Sequence, residues 1–217
     1  MTKLKDNILI YGAGGFGKTI YSILSQYFDN IEFADDKKKI GTKIINNIKL
    51  KYNLKLLIKK KIKYKICLAI GYKTWDRRLK IIDQLKKKEY EFLSFIHPKS
   101  IISPTAKIRE GAFINQGTNI SENVTVHENS FIDIGVMIGE NSIISQNCYL
   151  AAGTNICGNT KIMKNSFIGA NSLILDDIKI GTNCFINAGS IITRSIKNDK
   201  KNVNIQNNIQ INLGKAR

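Results

Sequence analysis

The sequence predicts a small α/β domain built on a parallel sheet, followed by a parallel β-helix of hexapeptide repeats. Two observations carry this. From Ile102 to Ile192 every sixth residue is aliphatic, sixteen positions without a break in register. The first hundred residues lack that period and alternate short apolar runs with amphipathic ones. With 217 residues and 43% hydrophobic content, the chain has room for one domain or two small ones with a buried core.

The N-terminal elements follow in order. NILIYG (7–12) is a short apolar strand, GGFGKTIYSILSQYF (14–28) an amphipathic helix, and IEFADD (31–36) a second strand ending in acids. After a lysine-rich middle, YKICLAIG (64–71) supplies a third buried strand and WDRRLKIIDQLKKK (75–88) a second helix, and EFLSFIHP (91–98) leads into the repeats. Strands alternating with helices imply a parallel sheet with helices on its faces.

A period of six suits neither a helix nor a flat sheet. It fits a β-helix in which each short strand sends one aliphatic side chain inward and three strands close an 18-residue triangular coil. Stacking then places Ile102, Ile120, Ile138, Ile156, Ile174 and Ile192 in one internal column. Small polar residues two positions before an inward one, such as Thr118, Ser130 and Ser142, are read as corners. Gly139, Gly169 and Gly181 directly follow inward residues and are expected to supply positive φ at the bends. These patterns divide the chain at 1–97, 98–196 and a polar tail at 197–217; NVNIQNNIQINL in the tail reads either as an edge strand or as a disordered end.

No run of 18 apolar residues appears, and the N-terminus passes from a charged tip into a strand and glycine turn. A cytoplasmic protein with no membrane insertion is expected. Cys67, Cys148, Cys157 and Cys184 are widely spaced without C-x-x-C pairs, which points to small buried hydrophobes rather than a metal site or a disulfide framework. The formal charge of +17 favours polyanionic ligands. It comes mostly from lysine rather than from arginine interleaved with aromatics, so a solvated surface is the simpler reading and nucleic acid is not an expected partner.

Gly12-Ala13-Gly14-Gly15-Phe16-Gly17 fits G-x-G-x-x-G between a strand and a helix, and Asp35 lies eighteen residues beyond Gly17. Such a turn brings backbone close to phosphate and offers free N–H groups at a helix start. With so few strands and no hydride-transfer site downstream, a nucleotide-sugar suits this small Rossmann-like sheet better than a dinucleotide. The two histidines, His97 and His127, read as a junction residue and an exposed corner. No Ser-His-Asp or Cys-His set is apparent.

GAGGFG, FADD, LAIG, IHPKSIISPTA and the hexapeptide run, in this order, resemble the bacterial sugar acyltransferases of the NeuD/PglD-like group over roughly residues 6–195. The resemblance implies that the β-helix is left-handed and that the protein is a homotrimer with sites between neighbouring prisms. It further implies acetyl-CoA as acyl donor, without a metal, and a nucleotide-sugar acceptor, expected to be UDP-linked. Gly12, Gly14, Gly15, Phe16 and Gly17 would form the nucleotide loop; Asp35, Asp36, Ala69, Ile70 and Gly71 would line the same pocket.

Three departures stand out. Phe16 replaces the histidine of the family's glycine turn, and the C-terminal G-x-P-A-K segment that helps to hold CoA is missing. Aligning IISPTA and AAGTNICGNTKI puts the family's catalytic histidine at Glu140, with Asn141 in place of the following acid. An ordinary carboxylate is a weaker base than imidazole by about two pKa units, and losing base assistance costs ~10²–10⁴-fold. An amine acceptor, which has its own lone pair once neutral, tolerates that loss better than a hydroxyl. The expectation is therefore an acetyltransferase acting on a nucleotide-linked amino sugar in surface-glycan synthesis, with Glu140 as base and His127 as the other catalytic candidate. The rival is a catalytically degenerate nucleotide-sugar-binding homologue that scaffolds or regulates a pathway.

Overall fold

The computed structural model describes residues 4–60, 62–71, 74–201 and 203. The chain separates into two compact units: one runs up to Phe95 and includes Arg109–Phe113, and the other comprises Ile96–Ile108 and the chain from Ile114 onward.

In the first unit β1 (Leu4–Tyr11), β2 (Phe28–Ala34) and β5 (Lys65–Leu68) form a parallel sheet in the order β2-β1-β5. Helix α1 (Gly15–Leu24) links β1 to β2, and α3 (Trp75–Lys86) follows β5. The lysine-rich middle, featureless at the level of sequence, contains a hairpin of β3 (Lys43–Ile45) and β4 (Ile48–Lys49) and a short helix α2 (Leu54–Lys60). Leu9, Tyr11, Leu57, Ile66, Ile81 and Leu85 meet in one cluster, so α2 and α3 are held by the apolar positions between their charges.

The second unit is built on a parallel β-helix of two-residue rungs, which run from β6 (Phe95–Ile96), at the boundary with the first unit, to β22 (Ile191–Ile192). Its first face stacks Ile101–Ile102, Asn119–Ile120, Met137–Ile138, Asn155–Ile156, Leu173–Ile174 and Ile191–Ile192. The second stacks the rungs from Lys107–Ile108 to Lys179–Ile180, and the third those from Phe95–Ile96 to Phe185–Ile186. Partners are eighteen residues apart, as the period requires: Asn119 pairs Met137 and Thr125 pairs Ile143. Inward aliphatics from Ile114 to Ile192 are at most 1% exposed. On the outside of the third face Phe131, Tyr149, Phe167 and Phe185 form an aromatic ladder with centroids 4.6–5.5 Å apart.

Two expectations about the corners are corrected. Gly139, Gly169 and Gly181 do not take positive φ; the left-handed residue comes two positions later, at Asn123, Gly135, Asn141, Gly153, Asn159 and their equivalents. Asn tolerates that conformation because its short amide bonds locally, and here the amides also bond upward: Asn123 Nδ2 donates to Asn141 Oδ1, and Asn141 Nδ2 to Asn159 Oδ1, each at 3.2 Å. Gly139 and Gly169 are glycine for space, since a Cβ would lie 2.6 and 2.3 Å from backbone nitrogen of the next coil. The small polar residues read as corners are interior. Ser142 is fully buried, donates to the Cys157 carbonyl at 3.1 Å and accepts from Thr160 N–H at 3.1 Å.

At the C-terminal end Val203 bridges to Ile186 on the third face. The rest of the expected edge strand NVNIQNNIQINL (202–213), and the chain after it, lies outside the described residues.

Candidate active site

In the α/β unit the three loops singled out in the sequence all leave the carboxyl ends of the sheet: Gly12–Gly15 after β1, Asp35–Asp36 after β2 and Ala69–Gly71 after β5. Because β2 and β5 flank β1 on opposite sides, this end of β1 is the topological switch point where open α/β sheets bind ligands. The glycines divide by role. A Cβ on Gly12 would lie 2.4 Å from the Ala69 carbonyl oxygen, and one on Gly17 would lie 1.9 Å from that of Gly12; both are required by packing. Gly14, Gly15 and Gly71 face open space. No side chain caps α1 and its first turn carries no acid, so the helix start is electrostatically prepared for an anion.

The acids serve the loop itself. Asp35, 9% exposed, accepts from Ala13 N–H at 2.8 Å and Lys37 N–H at 2.7 Å, clamping the glycine turn against β2. Asp36 accepts from the Tyr11 hydroxyl at 2.8 Å, Leu54 N–H at 2.8 Å and Arg77 at 3.3 Å. Burial and the Asp36 hydrogen bond hold the Tyr11 phenol protonated by raising its pKa. Arg78, buried, donates to the carbonyls of Leu68 and Ile70 and shapes the third loop; sequence reading missed it, although its place one turn into α3 was the available signal. Phe16 is half-buried and Ile70 buried. A groove of about 610 Å³ lined by Lys5, Asp6, Tyr64, Lys65 and Tyr90 lies at the opposite, amino-terminal end of β1 and β5, away from these loops.

In the β-helix unit Glu140 is exposed on the corner between the first and second faces. Its carboxylate lies over Gly158, the equivalent residue one coil on: a Cβ there would sit 2.6 Å from Glu140 Oε1. One further coil on, Asp176 Oδ1 accepts from Gly158 N–H at 3.0 Å. Two carboxylates thus flank a glycine notch. Cys157 beside it is half-buried, unlike Cys67, Cys148 and Cys184, and its thiol pKa is raised by burial and by Asp176 and Glu140. Burial, opposed in part by the nearby Arg78, pushes Cys67 up to about 12.

The structure does not bring His127 to this notch. It stands on the corner between the second and third faces, its ring 30% exposed, with Nδ1 3.7 Å from Glu128 Oε2. His97 is buried at the start of the first coil, where Nδ1 accepts from Lys99 N–H at 3.1 Å and burial lowers its pKa. No group of three or more potential metal ligands occurs among the described residues.

Residues 7–85 match the family described as PglD N-terminal domain, residues 117–152 the hexapeptide repeat of succinyl-transferase, and residues 159–194 the bacterial transferase hexapeptide. The chain thus joins a stretch similar to the PglD N-terminal domain to two stretches similar to transferase hexapeptide repeats. Among solved structures this arrangement is similar to the acetyltransferase domain of PglB from Neisseria gonorrhoeae, with TM-score 0.81 and 19% identity over 91% of this chain and 96% of that one. WeeI from Acinetobacter baumannii gives TM-score 0.79 and 21% identity over 91% and 96% of the two chains. A histidine-to-alanine variant of GDP-perosamine N-acetyl transferase from Caulobacter crescentus, in complex with CoA and GDP-perosamine, gives 0.71 and 18% over 91% and 93%. At these identities the PglD-type likeness is one of fold. No curated protein matches the chain.

Proposed function

We propose that the chain is an acetyl-CoA-dependent N-acetyltransferase acting on a nucleotide-linked amino sugar in cytoplasmic steps of surface-glycan synthesis. The observation that carries this reading is the pair of unfilled glycines, Gly14 and Gly15, at the switch point of the sheet, a cradle for phosphate in a chain whose second half is a transferase-type β-helix. The structural relatives agree: one is described in complex with CoA and GDP-perosamine, another with acetyl coenzyme A. Gly12 and Gly17 shape the loop, Asp35 and Asp36 hold it, and Phe16, Ile70 and Gly71 border the nucleotide.

In this reading the amine nitrogen bonds to the thioester carbonyl carbon, its proton passes to Glu140, and as the carbon–sulfur bond breaks Glu140 returns that proton to the departing sulfur, releasing the thiol. Glu140 is exposed on its corner, with its carboxylate lying over Gly158. His127, on another corner, takes no part.

We also infer a homotrimer. Ile101, Met137 and Ile191, 70, 48 and 46% exposed, stand on the outside of the first face, and Ile134 on the corner before it is 44% exposed. A soluble β-helix covers such a stripe by association, and Glu140 sits at its border, where a shared site would form.

Calorimetric titration of acetyl-CoA, UDP-sugars and GDP-sugars into the purified protein tests the assignment. Binding of both donor and nucleotide-sugar is expected. Sugar binding without CoA binding would sink the enzyme and support the non-catalytic homologue, which Glu140 in place of the family's histidine favours.

A further inference from the structure

The formal charge of +17 is not spread along the chain. Residues 98–196 hold seven basic and seven acidic residues and are neutral. Between Asp36 and Asp76 stand thirteen lysines and not one acid. A general bias toward lysine would load both regions alike, so this asymmetry needs a local cause.

The fold gathers the block. Asp35 N–H donates to the Tyr52 carbonyl at 3.0 Å, Gly41 N–H to that of Leu50 at 2.8 Å, and Leu54 N–H to Asp36 Oδ1 at 2.8 Å, drawing residues 35–54 together. Lys37, Lys38, Lys39, Lys43, Lys49 and Lys55 are exposed on this stretch. Lys43 and Lys49 are direct partners across the β3–β4 hairpin, an arrangement in which like charges oppose pairing. Among the described residues none of these six lysines has an ion pair, whereas Lys51 pairs with Glu32 and Lys65 with Asp6. In their midst Ile40 is 42% exposed, just before Gly41, which turns the chain at φ +90°.

We propose that this loop and hairpin dock the α/β unit on an anionic phospholipid surface, the lysines meeting the headgroups and Ile40 entering the interface between them. Lysines near such a surface each add attraction that salt screens, and an apolar side chain among them adds burial at the acyl boundary. Nucleic acid fits less well: the first arginine is Arg77, and the exposed residue among the lysines is aliphatic, with no aromatic face for a base. The contact is peripheral, since no helix among the described residues is long and apolar enough to cross a membrane. It is independent of the acyl transfer proposed above.

Co-sedimentation of the full chain with vesicles of phosphatidylcholine alone, or mixed with phosphatidylglycerol, tests this. Retention is expected on the mixed vesicles only and declines as salt is raised. The variant carrying Lys37→Gln, Lys38→Gln and Lys39→Gln, and the variant carrying Lys43→Gln and Lys49→Gln, lose about tenfold or more in retention, with thermal melting unchanged. Replacing Lys161 and Lys179 on the β-helix by Gln leaves retention at the parent level. Absence of retention, equal retention on neutral vesicles, parent-level retention by both loop variants, or displacement of vesicles by an RNA oligonucleotide would each overturn the proposal.

Discussion

At Glu140 the question is whether a carboxylate does the work of a base. Replacing it by Ala should lower acetyl transfer by ~10²–10⁴-fold with nucleotide-sugar affinity kept, whereas His127→Ala should change turnover by less than about twofold. Steady-state kinetics on both variants checks this, and equal rates in all three proteins would remove Glu140 from the mechanism. Gly158→Ala separates position from stability: the new methyl meets the mobile end of Glu140 rather than backbone, so melting should hold while turnover falls. Gly17→Ala meets the Gly12 carbonyl instead and should cost about 1–3 kcal/mol by denaturant titration. Thiol alkylation of the native protein should reach Cys157 first and leave Cys67 and Cys148, both with pKa pushed up to about 12 by burial, until unfolding. Sequence alone named Glu140 by alignment of flanking segments. It could not show the notch, because Gly158 and Asp176 are neighbours of Glu140 only through the eighteen-residue stacking.

Among the elements, the loops and corners differ most from what the pattern implied. The period of six made the inward column legible, yet it assigned positive φ to Gly139 when Asn141 carries it. Glycine at Gly139 serves backbone approach, a tertiary demand that leaves no local signature. Asp35, expected to line the ligand pocket, also completes the turn that precedes α1 with its carboxylate. Both β3–β4 and α2 were hidden because lysines dominate a stretch whose few apolar residues do the anchoring. The buried hydroxyls give a direct test. Ser142→Ala strands the Thr160 N–H that Ser142 accepts and should cost about 1–3 kcal/mol, read as a lower denaturant midpoint with unchanged slope. His97 adds a pH dependence. Its pKa is lowered in the folded protein, so its contribution is present above the unfolded value of about 6.5 and is lost as pH falls toward the folded value. Melting temperatures should decline below about pH 6.5, and His97→Asn should flatten that decline.

For the whole molecule, the net charge is confined to one region. The β-helix is neutral and exposes its aliphatic stripe on one face, while the α/β unit carries the lysine block. Sedimentation should give a trimer, and Met137→Asp, placing a charge in the middle of the stripe, should shift it toward monomer at the same protein concentration; a monomeric parent protein would remove the shared-site arrangement. Composition gave the net charge from the start, but not its confinement, which appears only when acids are counted region by region.

The vertical spacing of Glu140, Gly158 and Asp176 has a consequence for how the chain can change length. Removing six residues from the β-helix would rotate every later rung onto the wrong face, whereas removing or adding eighteen at a corner takes out or inserts one complete storey and leaves all faces in phase. Storeys beyond Asp176 can therefore be lost or gained without touching the notch. Between Glu140 and Asp176 a single added storey would part the two carboxylates, so this pair spans two storeys of the prism.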